Sequence, residues 1–353
     1  MKKIVMMIFF PIYLIAYEPT SGLTDIHGFV PKEQRIVLKL GIEAVNDTID
    51  VLNMKESEFS SNTAGIDTLG NMHGYNVELG YGVKKFYFNF VFNQKNLQYL
   101  GATLTNNYFG GYGRYEIVKK KQGALAFDVG YETNNAKNSF ITDETAINDT
   151  IKRAFPDQTI TIKNKVLTQV DNGVTKTTNL LLNPYVALLD TKDEALYFRG
   201  VVSFWRKNFI ADFFGGYKQI KINNTIDSSI AHEEQLETEL QNGDLKANYT
   251  ADREDGMLFG GFNLGMKYKQ FFTEFRYQYY QMLRIDCLEG TNNNHVIDLN
   301  FLYNYNQNFA VYLGGHMMTN QFNGEIHYLY TQYTKTTFDH KYGYIRSGIV
   351  YKF

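Results

Sequence analysis

The sequence predicts an all-β chain that closes into a transmembrane antiparallel up-and-down β-barrel. Three observations carry that expectation. Apolar and polar residues alternate at period two in runs of about ten residues, the length a tilted strand needs to cross a bilayer. Short turns alternate with long polar loops, and the final residue, Phe353, ends an alternating segment. Composition agrees: of 353 residues, 27 are Tyr, 27 are Phe and only 5 are Pro. Aromatic residues favour strands, and scarce proline leaves ladders uninterrupted.

The N-terminus carries Lys2 and Lys3, then an apolar run from Ile4 to Tyr17 broken by Pro11. That run is too short for a spanning helix and has the pattern of a cleaved signal peptide. Residues 1–16 are therefore expected to be a signal peptide, 17–34 a short periplasmic segment too small for a plug domain, and 35–353 the barrel. The alternative for the apolar run is a buried N-terminal helix. No later segment has the roughly 18 apolar residues of a membrane helix, so any crossing must be made by strands.

Several strands show the alternation plainly. Ile36, Leu38, Leu40, Ile42 and Ala44 share one face, with Arg35, Lys39 and Glu43 on the other. Phe86, Phe88, Phe90 and Phe92 form an aromatic face, and Ile297, Leu299, Phe301 and Tyr303 oppose Asp298 and Asn300. Short turns are expected near 84–85, 119–122, 206–208, 269–270 and 307–308; four lead into Phe86, Phe209, Phe271 and Phe309, which predicts an aromatic girdle at one interface. Longer connections at 47–71, 95–106, 134–157, 223–255, 284–294 and 320–340 are expected on the opposite, extracellular side. The pattern yields fourteen strands. The hairpin 158–170 and 176–190, turning at Asp171–Asn172–Gly173, is less regular; if it belongs to an outer loop the count is twelve. Both termini should face the periplasm, so the two strands of that pair enter or leave together.

The closing segment places Phe353, Tyr351, Ile349, Ser347 and Ile345 on one face. It resembles the terminal strand of Gram-negative bacterial outer-membrane β-barrel proteins, with Ser347 a mild departure. That resemblance implies residence in the outer membrane among lipid and lipopolysaccharide. It also implies that the barrel-assembly machinery reads Phe353, Tyr351 and Ile349 as an assembly signal.

With the apolar faces outward, the lumen collects Arg35, Lys39, Lys84, Arg114, Arg199, Lys218, Lys267, Arg276 and Arg346. It also collects Glu43, Glu78, Glu116, Asp128, Glu132, Asp212, Glu274 and Asp298. Such charges line a water-filled pore, or else form a network that fills a narrow closed barrel. Fourteen strands favour the pore, and the mixed signs predict no strong ion preference. The expected function is a porin-like channel for passive diffusion of small hydrophilic solutes. The alternatives are a surface adhesin or ligand-binding barrel, and a transporter of hydrophobic compounds.

Other classes fit less well. A net charge of −2 lacks the basic excess of a nucleic-acid binder. Asn294-His295 lacks the serine that follows in outer-membrane phospholipases, Tyr330-Thr331-Gln332 is a short fragment, and His295 with Asp298 offers only a loose echo of omptin-type proteases. No enzyme activity, cofactor or metal is expected. His232, Glu233 and Glu234 read as a solvated loop face, and Cys287, the single cysteine, as a free thiol. Oligomeric state is not legible from the chain.

Overall fold

A computed structural model of the chain describes residues 27–30, 36–45, 71–99, 102–137, 140–145, 147–148, 159–171, 173–229, 248–250, 252–284, 292–319 and 342–353. The expected signal peptide, Arg35, Cys287, the 232–234 loop and the 330–332 fragment lie outside the described residues.

Seventeen strands follow in chain order. They are β1 Ile36–Val45, β2 Met72–Val83, β3 Phe86–Tyr99, β4 Ala102–Lys120, β5 Gly123–Lys137, β6 Phe140–Ile141, β7 Thr159–Lys163, β8 Val166–Asp171 and β9 Val174–Asn179. Then come β10 Val186–Arg206, β11 Phe209–Ser228, β12 Asn248–Thr250, β13 Arg253–Tyr268, β14 Phe271–Arg284, β15 Asn293–Asn304, β16 Phe309–Met318 and β17 Tyr342–Lys352. Twelve of these, β1–β5, β10, β11 and β13–β17, form one antiparallel ring. The ring closes where β17 meets β1, with Val37 opposite Lys352 and Ala44 opposite Ile345. Closure satisfies every strand edge, which hydrocarbon demands because an unpaired backbone group there costs several kcal/mol.

The leading count of fourteen strands is corrected to twelve. The hairpin expected at 158–190 does not enter the wall. Its residues form β7, β8 and β9, a separate three-stranded sheet within the long connection between β5 and β10. Strand β10 instead runs unbroken through 21 residues from Val186 to Arg206, absorbing the end of the expected second hairpin strand. Alternation marks a strand but does not say which sheet it joins.

Tight turns close one end of the barrel. Lys84, Lys207 and Lys269 take φ values of 52°, 52° and 53° at the first position of their hairpins, as two-residue connections between twisted strands require. Lys84, expected in the lumen, is therefore a turn residue. Phe86, Phe209 and Phe271 follow these turns as exposed outward rings; Phe86 packs against Tyr115 at 5.2 Å and Phe271 against Tyr303 at 5.2 Å. The aromatic girdle is present at this end.

The outer wall is apolar between its rims. Leu40, Phe90, Phe127, Phe213, Leu299 and Leu313 are exposed although large and hydrophobic. In water such a surface would aggregate; in lipid it is the stabilising face. Leu299→Arg would set a charge near the centre of that band and should lower stability by roughly 2–4 kcal/mol. The readout is the urea midpoint of protein refolded into vesicles. An unchanged midpoint would mean that Leu299 does not face lipid.

The inner wall is layered. At the turn end, Val37, Ala124, Trp205, Ile210, Phe272 and Leu302 belong to one buried apolar cluster. At the other end a larger apolar collar includes Val45, Met72, Leu97, Leu104, Met257, Met282, Val296 and Met318. All twelve wall strands contribute to this collar. Between the two layers the inward positions are mostly polar.

Candidate functional site

The polar belt follows from the alternation: once the apolar face of each strand meets lipid, the alternate positions must meet one another. They meet in pairs. Lys39 donates to Glu78 at 3.0 Å, and Asn89 donates to the same carboxylate at 2.7 Å. Glu43 accepts from Asn76 at 2.9 Å and Asn93 at 3.0 Å, with Lys95 at 3.5 Å. Lys218 pairs with Glu132, whose carboxylate also accepts from Tyr108 at 3.4 Å.

Two triads dominate the belt. Arg114 holds Asp128 through two bonds of 2.8 and 3.0 Å, and Arg199 reaches the same carboxylate at 2.8 Å. Arg276 donates to Asp298 at 2.7 Å, Arg346 donates at 2.9 Å, and His316 lies 2.7 Å away. Both carboxylates are completely buried, so neither is screened by bulk water. Asp128 on β5 and Asp298 on β15 stand five strands apart in a ring of twelve, on facing walls. Gly314 leaves space for the second triad: a Cβ there would stand 3.2 Å from Nε of Arg346. Each triad sets two guanidinium groups against one carboxylate.

Both ends of this belt are blocked by segments that are not part of the wall. At the collar, Ile141, Ile147, Ile162 and Leu180, all from the β5–β10 connection, pack into the apolar ring. At the turn end, residues 27–30 are buried. His27 Nδ1 lies 3.0 Å from Asp212, the amide of Gly28 donates to Ser203 at 2.5 Å, and the amide of Val30 donates to Glu116 at 2.9 Å. Asp212 also accepts from Ser203 and, at 2.9 Å, from Asn263, which donates to Glu274 at 3.1 Å. Phe29 stacks on His27 at 4.9 Å and meets Trp205 edge-on at 5.3 Å. These four residues fall in the stretch expected as a periplasmic segment; they occupy the barrel mouth itself. Gly28 is necessary there, because a Cβ would stand 2.8 Å from the carbonyl oxygen of Ala124 and 2.9 Å from that of Val201. Gly28→Val should therefore expel the segment, which would appear as faster proteolysis near residue 28 with the barrel intact. Unchanged cleavage would contradict the packing.

Under the collar a cavity of about 240 Å³ remains. Lys95, Lys218, Arg276, Arg346 and Glu132 face it together with Tyr108, Tyr280 and Tyr344.

A closed ring, apolar outside and charged inside, is stable only with hydrocarbon around it. The chain folds as a transmembrane β-barrel. No protein-family model matches the barrel, and no curated protein sequence does. Solved structures similar to it include the translocator domain of the autotransporter NalP from Neisseria meningitidis, with TM-score 0.46 and 6% identity over 92% of this chain and 90% of that one. The β domain of the Bordetella autotransporter Brka has TM-score 0.42 and 8% identity, covering 90% of this chain and 98% of that one. The NanC porin has TM-score 0.42 and 8% identity, covering 90% of this chain and 100% of that one.

Of the expected lumen residues, Arg35 lies outside the described residues and Lys84 stands in a turn; the others face the interior of the barrel. Lys39, Glu43, Glu78, Arg114, Glu116, Asp128, Arg199, Asp212, Glu274, Arg276, Asp298 and Arg346 are held in the contacts above, while Lys267 sits opposite Phe272 at the turn end. The geometry is that of a packed charge network, not a wide aqueous lumen. His295 and Asp298 do not converge: His295 bonds Tyr277 at 2.8 Å, whereas Asp298 belongs to the buried triad. Among the described residues no group of three His, Cys, Asp or Glu side chains is placed to hold a metal ion. The block formed by residues 27–30 was not anticipated. One signal for the collar was legible: Met72, Met257, Met282 and Met318 all sit at the outer ends of alternating strands, on the otherwise polar face.

Proposed function

We propose that the barrel is a gated channel for small hydrophilic solutes, closed in the conformation described. One observation carries the reading. The permanent wall encloses a polar interior, while the material blocking it comes from a loop sheet and an N-terminal stretch whose departure would leave the wall ladder unbroken. A barrel meant only as an inert anchor has no need of blocks separable from its wall. A passage for hydrophobic compounds fits worse, since such a solute would have to cross the buried triads and leave charges desolvated beside it. The adhesin reading needs no conduction, so conductance separates the two.

Planar-bilayer recording of refolded protein tests the reading. The intact chain should show rare stepwise openings, and Gly28→Val should make them frequent. A barrel that stays electrically silent in both forms would contradict it. For assembly, deleting Phe353 should reduce the folded, heat-modifiable form recovered from the outer membrane of cells; an undiminished yield would show that the terminal ring is not read.

A further inference from the structure

We infer that the cavity beneath the collar is a binding site for a small organic oxyanion, a carboxylate or phosphate borne on an apolar or aromatic body. The inference rests on the channel reading only for access, not for the site. Four cationic side chains, Lys95, Lys218, Arg276 and Arg346, face the space against the single carboxylate of Glu132. The acids that hold the other cations stand behind them. Asp298 is wholly buried beneath Arg276 and Arg346, and Glu43, 5% exposed, lies beyond Lys95. The wall seen from the cavity is therefore positive, and guanidinium forks are suited to a planar oxyanion.

The rest of the lining selects the body of the ligand. Tyr108, Tyr280 and Tyr344 bring aromatic rings, and Val296 and Met318 of the collar form the roof. Lys95 sits 4.4 Å above the ring of Tyr344 and bonds its hydroxyl at 3.1 Å, which fixes the ammonium at the cavity edge. About 240 Å³ admits a single-ring solute and excludes oligomers. A charged head toward the arginines and an apolar face under the collar would satisfy both halves of the lining. Such a site lies where a solute arriving through an opened collar first meets charge.

Calorimetric titration of the refolded full chain with benzoate, benzamide and benzylamine tests this, since the three share a ring and differ in charge. Phenyl phosphate serves as a second anion. Benzoate or phenyl phosphate should bind at least about tenfold more tightly than benzamide, as expected for charge-assisted bonds. Benzylamine should not bind. The preference should fall in Arg346→Gln and in the doubly neutralised Lys218→Gln/Glu132→Gln, with heat-modifiable migration confirming that each has folded. Lys267→Gln, at the far end of the barrel, should leave it unchanged. Equal binding of benzoate and benzamide, or no binding of any probe to folded protein, would overturn the site. Anion binding by a barrel that never conducts would support the site and refute the channel. Conduction without anion binding would do the reverse.

Discussion

Replacing residues 143–183 with a short linker in a Gly28→Val background should convert a nearly silent barrel into one that conducts in long, stepwise events. The replaced stretch carries Ile147, Ile162 and Leu180, which fill the centre of the collar, together with the whole β7–β9 sheet. None of its strands belongs to the ring, so the wall keeps its twelve-strand ladder. What is lost is apolar contact. Each fully buried Leu or Ile contributes roughly 1.5–3 kcal/mol, so three such plugs hold the collar shut by several kcal/mol. Removing that term leaves the collar residues facing one another across a gap that water can enter. The open probability in a planar bilayer should rise by more than about a hundredfold, given that every 1.4 kcal/mol is a factor of ten. An excised barrel that also carries Gly28→Val, folds and stays silent would show that the triads, not the two blocking segments, are the seal.

The second large effect is on stability. Asp298→Asn should cost about 3–5 kcal/mol, because it leaves the largely buried Arg276 and Arg346 without their shared counter-charge. The contact of His316, which stacks on Tyr344 at 4.7 Å, with the Asp298 carboxylate would be weakened as well. The urea midpoint of vesicle-embedded protein should fall accordingly. Asp298→Leu combined with Arg276→Met and Arg346→Met should recover much of the loss, since a buried ionic triad replaced entirely by apolar groups is commonly neutral or better. Failure of the single variant to destabilise would mean that water reaches this triad freely, as in a wide pore.

The wall was legible in the sequence, and for a physical reason. A strand between lipid and lumen must alternate, so Phe86, Phe88 and Phe90 on one side, and Asn89 and Val91 on the other, declare their facing without knowledge of any partner. The turns were legible because tight hairpins admit few residues, and the last strand because it must close against the first. The hairpin at 159–171 alternates less regularly than the wall strands, a signal too weak to place it outside the ring until its pairing with β9 is known. Residues 27–30 have no periodicity to read. Their place is set by Gly28 fitting against Ala124 and Val201, residues distant in the chain. Most of the charges point inward, Lys84 being a turn residue instead, but composition could not say whether they meet water or one another. With twelve strands in place of fourteen the bore is narrower, and Asp128 and Asp298 are reached by arginines from neighbouring or next-but-one strands.

Thiol labelling from either side of the membrane tests most directly that the polar interior is sealed by two separable segments. Val91 lines the cavity, and Val91→Cys in a Cys287→Ser background places one thiol between the seals. In oriented vesicles, a charged, membrane-impermeant thiol reagent should barely react with the intact protein from either face. Excising 143–183 should expose the thiol from the loop side alone, and Gly28→Val from the turn side alone. Rapid labelling of the unmodified barrel from both faces would contradict the account.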